Sequence, residues 1–198
     1  KATLHKKYND ARAILSGDAL LTGAFEILSS SSGDPQQISQ AVLTLAKNSG
    51  ASGMISGQMR DMFESAQGLS VEENLSALSR VHAEKTGALI AASLELGLIA
   101  AAAKHETRIL VRSWGLKLGL LFQVIDDILD ATQSSEVLGK SAGKDEKSQK
   151  RTYVSLLGID GARALAEKTF EELKVEAKFF SNSEQVEALL KFVLSRSN

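Results

Sequence analysis

Pro35 is the only proline in 198 residues, so almost nothing along this chain forbids long helices. The rest of the composition points the same way. Ala and Leu are abundant, and the β-branched or aromatic runs that pack well in strands are missing. Hydrophobic residues make up 43% of the chain, enough for a packed core and against disorder. The expected fold is all-α, a single domain over residues 1–198.

Periodicity predicts where the helices run. From Asp10 to about Ser29, Ile14, Leu15, Leu21, Phe25 and Leu28 recur at helical spacings, and Ser30 to Gly33 ends the pattern. Asp34-Pro35 reads as an N-cap with proline at the first helical position. Ile38, Ala41, Val42, Leu45 and Ala46 follow as one amphipathic stripe. Gly50, Gly53 and Gly57 are expected inside the next helical stretch, where each costs about 1 kcal/mol against Ala. Their spacing suggests close helix packing or the close approach of a ligand. Gln67 to Leu69 is a break, and Ser70 with Glu73 fits a capping box. Thr86 to Ala103 reads as a buried core helix, since it is short for a membrane span and carries Glu95 at its centre. Another helix is expected from about Glu106 to Ala131, then a Gly- and Lys-rich loop from Ser134 to Arg151, then further helix to the end.

The segment that speaks to chemistry is FQVIDDILD, Phe122 to Asp130. On a helix, Gln123, Asp126, Asp127 and Asp130 share a face about 100° wide. Leu118, Leu121, Phe122, Ile125, Ile128 and Leu129 occupy the other side, which anchors the helix in a core. Like charges one turn apart oppose a helix by a few tenths of a kcal/mol. Acids near a helix C-terminus, where these are expected, are opposed by the macrodipole as well. Hard divalent cations relieve both penalties, and carboxylate oxygens suit Mg²⁺. A solvated acidic face is the alternative.

Lys140, Lys144, Lys147, Lys150 and Arg151 follow, interleaved with Gly139 and Gly143. A glycine-containing basic loop beside metal-binding carboxylates is what a diphosphate requires, because metals bridge its oxygens and ammonium groups neutralise the remainder. The same loop taken alone is a solvated surface. Lys85-Thr86-Gly87 offers another donor pair, and Gln58 with Asp61 forms a second polar patch or an ordinary surface.

Other chemistries find little support. Net charge is −1, so no global basic field invites nucleic acid or a membrane surface. His5, His82 and His105 lie in different elements without metal-ligand spacing, and no Walker or Rossmann loop is present. The lack of cysteine excludes disulfides and thiolate metal sites and fits a reducing, cytoplasmic setting.

Five blocks in order resemble the trans-isoprenyl diphosphate synthases, or polyprenyl synthetases. They are AILSGDALLTGAFEIL (Ala13 to Leu28), GQMRD (Gly57 to Asp61), KTGALI (Lys85 to Ile90), FQVIDDILD, and LGKSAGKDEKSQKRTYVSLLG (Leu138 to Gly158). Their wording is nearest to bacterial farnesyl diphosphate synthases and related geranylgeranyl synthases. The resemblance implies an isoprenoid synthase-type helical bundle around a central apolar cavity, usually a homodimer. It implies condensation of dimethylallyl or geranyl diphosphate with isopentenyl diphosphate, giving farnesyl diphosphate and pyrophosphate. Carried over by position, Asp126, Asp127 and Asp130 serve a Mg²⁺ site, and Lys85, Lys140 and Lys150 bind the allylic diphosphate. Thr86 places oxygens near the allylic cation, Gln123, Asp61 and Gln58 line the pocket, and Phe122 stacks near the incoming alkene.

The family's first aspartate-rich motif and its Arg-Arg pair precede the segment matching Lys1 to His5, and Ala2 and Asn9 stand where proline and glycine are usual. The chain therefore reads as the C-terminal two-thirds of the family's domain, N-terminal helices missing, and is expected to be inactive alone. A geranylgeranyl or longer-chain synthase, a non-catalytic partner subunit and a Mg²⁺-dependent terpene cyclase are the competing expectations.

Overall fold

The structure, a computed structural model, describes residues 2–64, 68–138 and 151–195, with 133–138 described by backbone only. Among the described residues there are helices and no strand. A short α1 (Leu4–Lys7) leads into α2 (Asp10–Ser29), followed by α3 (Pro35–Ser49), α4 (Met54–Phe63) and α5 (Val71–His82). A π-helical turn (Ala83–Gly87) joins α5 to α6 (Ala88–Ala100). Then come α7 (His105–Leu138), α8 (Tyr153–Glu176), a 3₁₀ turn (Ala177–Phe179) and α9 (Ser183–Ser195).

Several starts are set by local chemistry. Asn9 caps α2 by accepting from Arg12 N at 2.9 Å. Asp34 accepts from Gln36 N at 2.6 Å, ahead of Pro35. Ser70 and Glu73 form the expected capping box, and its hydrogen bonds hold the Glu73 carboxyl below the usual glutamate range. At the other end of α6, Ala102 stands at φ 52°, a left-handed position usually given to glycine.

The core gathers around α7. Leu121, Val124, Ile125 and Ile128 are buried there with Leu78, Leu173 and Leu190 from α5, α8 and α9. Each such side chain contributes about 1.5–3 kcal/mol relative to exposure. Trp114 packs edge-on against Phe180 and donates its indole N–H to the Leu173 carbonyl at 3.0 Å. Gly158, at φ 72°, bends α8 just after its first turn.

Three expectations need correction. Gly50, Gly53 and Gly57 do not share one helix: Gly50 caps α3, Gly53 caps α4, and only Gly57 is helical. The packing explanation for them holds, because a Cβ on Gly53 would stand 2.2 Å from the Asn48 carbonyl oxygen. The helix expected from Thr86 to Ala103 starts at Ala88 and ends at Ala100, Thr86 falling in the π turn. The loop expected from Ser134 starts later, since α7 runs to Leu138. Serine costs a helix only a few tenths of a kcal/mol, and Gly139 is the first strong breaker. Asp130 is therefore two turns from the helix end, beyond the reach of the C-terminal dipole penalty expected for it.

Candidate functional site

Gly57 sets the site's first contact. A Cβ there would lie 2.2 Å from the backbone nitrogen of Lys85, so α4 can touch the π turn only through a glycine. That approach seats Asp61, one turn on, against Lys85, with Asp61 Oδ2 2.5 Å from Lys85 Nζ and both side chains largely buried. Arg60 Nε reaches Glu84 at 3.0 Å, and Arg80 reaches Glu64 at 2.7 Å, so charged pairs fasten α4 to both α5 and the turn. The two polar patches suspected separately, GQMRD and KTGALI, are thus one cluster. Gln58 is the exception, exposed on the outer side of α4.

A second pair of glycines joins this cluster to α7. A Cβ on Gly119 would lie 2.6 Å from Gly87 Cα, and one on Gly115 would lie 2.7 Å from Ala91 Cα. These contacts run antiparallel, 91 with 115 and 87 with 119. Asp126 lies about 10 Å further along α7 on the Gly119 side, two helical turns away. Lys85 and the acidic face therefore belong to neighbouring turns of packed helices.

On that face Gln123, Asp126 and Asp127 are half-buried and Asp130 is exposed. Phe122 and Leu129 pack against the core from the flank, partly exposed, as the helical arc requires. Asp127 Oδ2 accepts from the backbone N–H of Tyr153, the first residue of α8, at 2.8 Å. A carboxylate at a helix N-terminus is favoured by up to about 2 kcal/mol when partly buried. Thr152 caps the same helix by accepting from Ser155 N at 3.0 Å, while Ser155 Oγ accepts from Thr152 N at 2.9 Å. Next to it, Arg151 donates to Asn74 Oδ1 at 3.2 Å. Tyr153 itself is buried and packs at a tilt on His82, ring centroids 5.3 Å apart. Burial pushes its phenol up to about 12; the Ser79 hydroxyl opposes that and the Asp127 charge adds to it.

Sequence reasoning missed the Asp127–Tyr153 link, the Asn74–Arg151 link and the π turn. Thr152 followed by Ser155 was the local signal for the α8 cap. Nothing local announces the partners, which lie 26 and 77 residues away. Lys140 and Lys150 lie outside the described residues.

Among the described residues no three His, Asp or Glu side chains already converge on a metal position. Magnesium does not require that, since it takes one or two carboxylates and fills the remaining positions with water and substrate phosphate. Asp126 and Asp130, one turn apart with hard oxygen donors, suit it in that role.

Residues 1–193 match the family described as polyprenyl synthetase. The chain is 39% identical over 204 residues to geranylgeranyl pyrophosphate synthase 9, chloroplastic, of Arabidopsis thaliana, covering 100% of this chain and 56% of that protein. It is 39% identical over 201 residues to the dimethylallyltranstransferase of Fischerella ambigua, again over 100% of this chain and 57% of the relative. Among solved structures, the Helicobacter pylori geranyltransferase complexed with magnesium and isoprenyl diphosphate superimposes with a TM-score of 0.81 at 36% identity, covering 98% of this chain and 64% of that one. The chain thus spans a little over half the length of the curated relatives it matches.

Proposed function

The chain belongs to the polyprenyl synthetase family, and on that footing we propose that the whole protein joins an allylic diphosphate to isopentenyl diphosphate, releasing pyrophosphate. The observation that carries this reading is the face of Gln123, Asp126, Asp127 and Asp130 on α7, set beside the Lys85 turn by the Gly87–Gly119 contact.

The allylic C1–O bond breaks, and its electron pair leaves with pyrophosphate. The alkene of isopentenyl diphosphate attacks the allylic cation, a C–C bond forms, and a proton passes to the released pyrophosphate. Asp126 with Asp130, and Asp127 beside them, would hold magnesium, which supplies positive charge to the departing phosphate oxygens when bound. Lys85 adds its ammonium to the same oxygens, and Asp61 fixes where that ammonium sits. The turn's carbonyls accept from five residues on instead of four, and such turns recur at functional sites. On the resemblance, Thr86 offers oxygens to the cation, and Gln123 and Phe122 border the pocket. Lys140 and Lys150 are assigned to the diphosphate on the resemblance alone.

Dimethylallyl or geranyl diphosphate is the proposed substrate and farnesyl diphosphate the proposed product. A second reading, geranylgeranyl diphosphate, is favoured by the name of the Arabidopsis relative. A homodimer in the cytoplasm completes the proposal; the Arabidopsis relative is named chloroplastic, and no helix among the described residues is long and apolar enough to cross a membrane. The test is product analysis of the whole protein supplied with geranyl diphosphate, isopentenyl diphosphate and Mg²⁺. Farnesyl diphosphate supports the first reading and geranylgeranyl diphosphate the second. No condensation at any Mg²⁺ concentration would remove both.

A further inference from the structure

Two neighbouring residues of α4 meet two neighbouring residues of the π turn in order. Arg60 Nε stands 3.0 Å from Glu84 Oε2, and Asp61 Oδ2 stands 2.5 Å from Lys85 Nζ. Each pair spans 24 positions of sequence. Along α4 the signs run plus then minus, and along the turn they run minus then plus. Arg60 is braced as well, since Glu64 lies 3.9 Å away and is itself held by Arg80 at 2.7 Å.

The order matters because a π turn raises a question of register. Its surplus residue has to be taken up somewhere along the helix. Moving the wide turn shifts the residue that faces a given neighbour by one, a rotation of about 100°. Burial fixes α5, which covers Leu78, Val81 and His82. Burial gives α6 no such direction, because that helix is apolar around almost its whole circumference. Toward α7 the Gly87–Gly119 contact chooses by size. Toward α4 the glycine contact is blind. The three atoms nearest a Cβ on Gly57 would be Lys85 N, Lys85 Cα and the Glu84 carbonyl carbon. Every residue brings those atoms, so Gly57 accepts any residue of the turn equally.

Charge does discriminate. A slip of one residue in one direction sets Asp61 against Glu84 and Arg60 against Ala83. A slip in the other direction sets Arg60 against Lys85 and Asp61 against Thr86. Either slip gives up both ion pairs and brings two like charges together. The four side chains are between 18% and 37% exposed, so water screens them less than it screens charges on an open surface.

We propose that the charge order of Arg60-Asp61 against Glu84-Lys85 selects the register of the π turn on α4, which makes Arg60 and Glu84 positioning residues for the Lys85 ammonium. The proposal deepens the diphosphate reading given above and rests on it for one of its two readouts. Arg60 and Glu84 act through Lys85, by deciding which residue of the turn stands beside Asp61.

Two double variants of the whole protein separate register selection from simple fastening. Arg60→Glu with Glu84→Arg exchanges the partners, keeping an ion pair and the net charge. It also makes both slips attractive, since Asp61 then finds a cation at position 84 and Lys85 an anion at position 60. Arg60→Met with Glu84→Gln removes the pair and rewards neither slip. The first readout is acetylation of Lys85 by an amine-reactive reagent, followed by mass spectrometry, because a slip takes Lys85 out of its pair. The second is Mg²⁺-dependent affinity for geranyl diphosphate by calorimetry. The neutral double variant is expected to label Lys85 about two- to fivefold faster than the parent and to bind more weakly by a similar factor. The exchanged variant is expected to be worse than the neutral one, with both readouts changed about tenfold or more. Arg60→Lys keeps the sign and is expected to keep Lys85 protected. Fastening alone predicts the opposite ranking, so an exchanged variant equal to the parent, or better than the neutral one, would overturn the proposal. If the exchanged variant does not fold, Arg60→Lys against Arg60→Met decides, and equal Lys85 labelling in those two would overturn it as well. Failure of the unsubstituted protein to bind geranyl diphosphate strikes the functional reading instead, and Lys85 labelling then judges the register by itself.

Discussion

Gly57 and the Lys85 amide nitrogen are so close that a single methyl at residue 57 would stand 2.2 Å from that nitrogen. Backbone cannot yield as a flexible side-chain tip can. Gly57→Ala is predicted to destabilise the fold by about 1–3 kcal/mol and to displace Lys85 from Asp61. Denaturant midpoints and diphosphate affinity measured together check this. An unchanged midpoint with unchanged affinity would show that α4 and the π turn are not held at this distance.

Asp126→Ala is predicted to lower turnover of the whole protein by about a thousandfold while the far-ultraviolet dichroism stays helical. The residue is half-buried on a helix whose stability comes from the opposite, apolar side. Near-normal rates at saturating Mg²⁺ would count decisively against a metal role for this face.

The buried phenol of Tyr153 gives a pH prediction with a definite sign. Its pKa is raised by burial to about 12, so the neutral form favoured by the fold contributes in full below the unfolded value of 10. That contribution fades as pH climbs toward 12, because the unfolded chain ionises first. Near pH 11 the loss amounts to about 1.4 kcal/mol. Tyr153→Phe should lack this component, so the stability gap between parent and variant shifts in favour of phenylalanine between roughly pH 9 and 11. A gap independent of pH would mean the phenol is not held neutral.

Ala102 occupies a left-handed backbone conformation, φ 52°, just beyond α6. Its N–H and that of Ala103 bond back to the carbonyls of Ile99 at 3.0 Å and Leu98 at 2.9 Å, closing the helix. Glycine adopts that conformation without the Cβ clash. Ala102→Gly is predicted to raise stability by about 0.5–1 kcal/mol, read as a higher thermal midpoint with activity retained. A lower midpoint would place the strain elsewhere.

Along α2 no residue is buried, and apolar side chains occupy two stripes, Ile14 with Leu21 and Leu20 with Ile27. Leu20 is 77% exposed and Ile27 72%. Exposed apolar area of this kind marks an interaction surface. The whole protein is predicted to sediment as a dimer at micromolar concentrations, and Leu20→Glu with Ile27→Glu to shift it toward monomer. A monomeric parent under the same conditions removes the homodimer from the proposal.

What the sequence made legible was whatever depended on neighbours in the chain. The bounds of α2, the Asp34-Pro35 start and the Ser70–Glu73 box are decided by a few consecutive residues, and each stands where the local chemistry puts it. The acidic arc was legible for the same reason, since one helix carries all of it. Its setting was not. Whether Gly57 is a flaw in α4 or a doorway to Lys85 depends on a backbone 28 positions away. Asp127 looks like its neighbours until Tyr153, 26 positions on, is folded against it. Likewise the uninterrupted apolar run from Thr86 hides the π turn, because hydropathy records which side chains are buried and not how many residues a turn contains.

That turn has a consequence for the evolution of the site. From Val71 to Ala100 the backbone is continuously helical, and the stretch Ala83–Gly87 winds more slowly than the rest. Such a turn holds one residue more than the helical pitch provides for. Deleting one residue there would relax the wide turn into ordinary α-helix, a gain in local regularity. It would also rotate everything on one side of the cut by about 100° relative to the other. With Thr86 as the residue lost, either Lys85 would keep facing Asp61 or Gly87 would keep facing Gly119, but the same chain could not satisfy both. The surplus residue therefore works as a phase shifter between two glycine contacts, and a lineage that lost it could recover only by inserting a residue nearby.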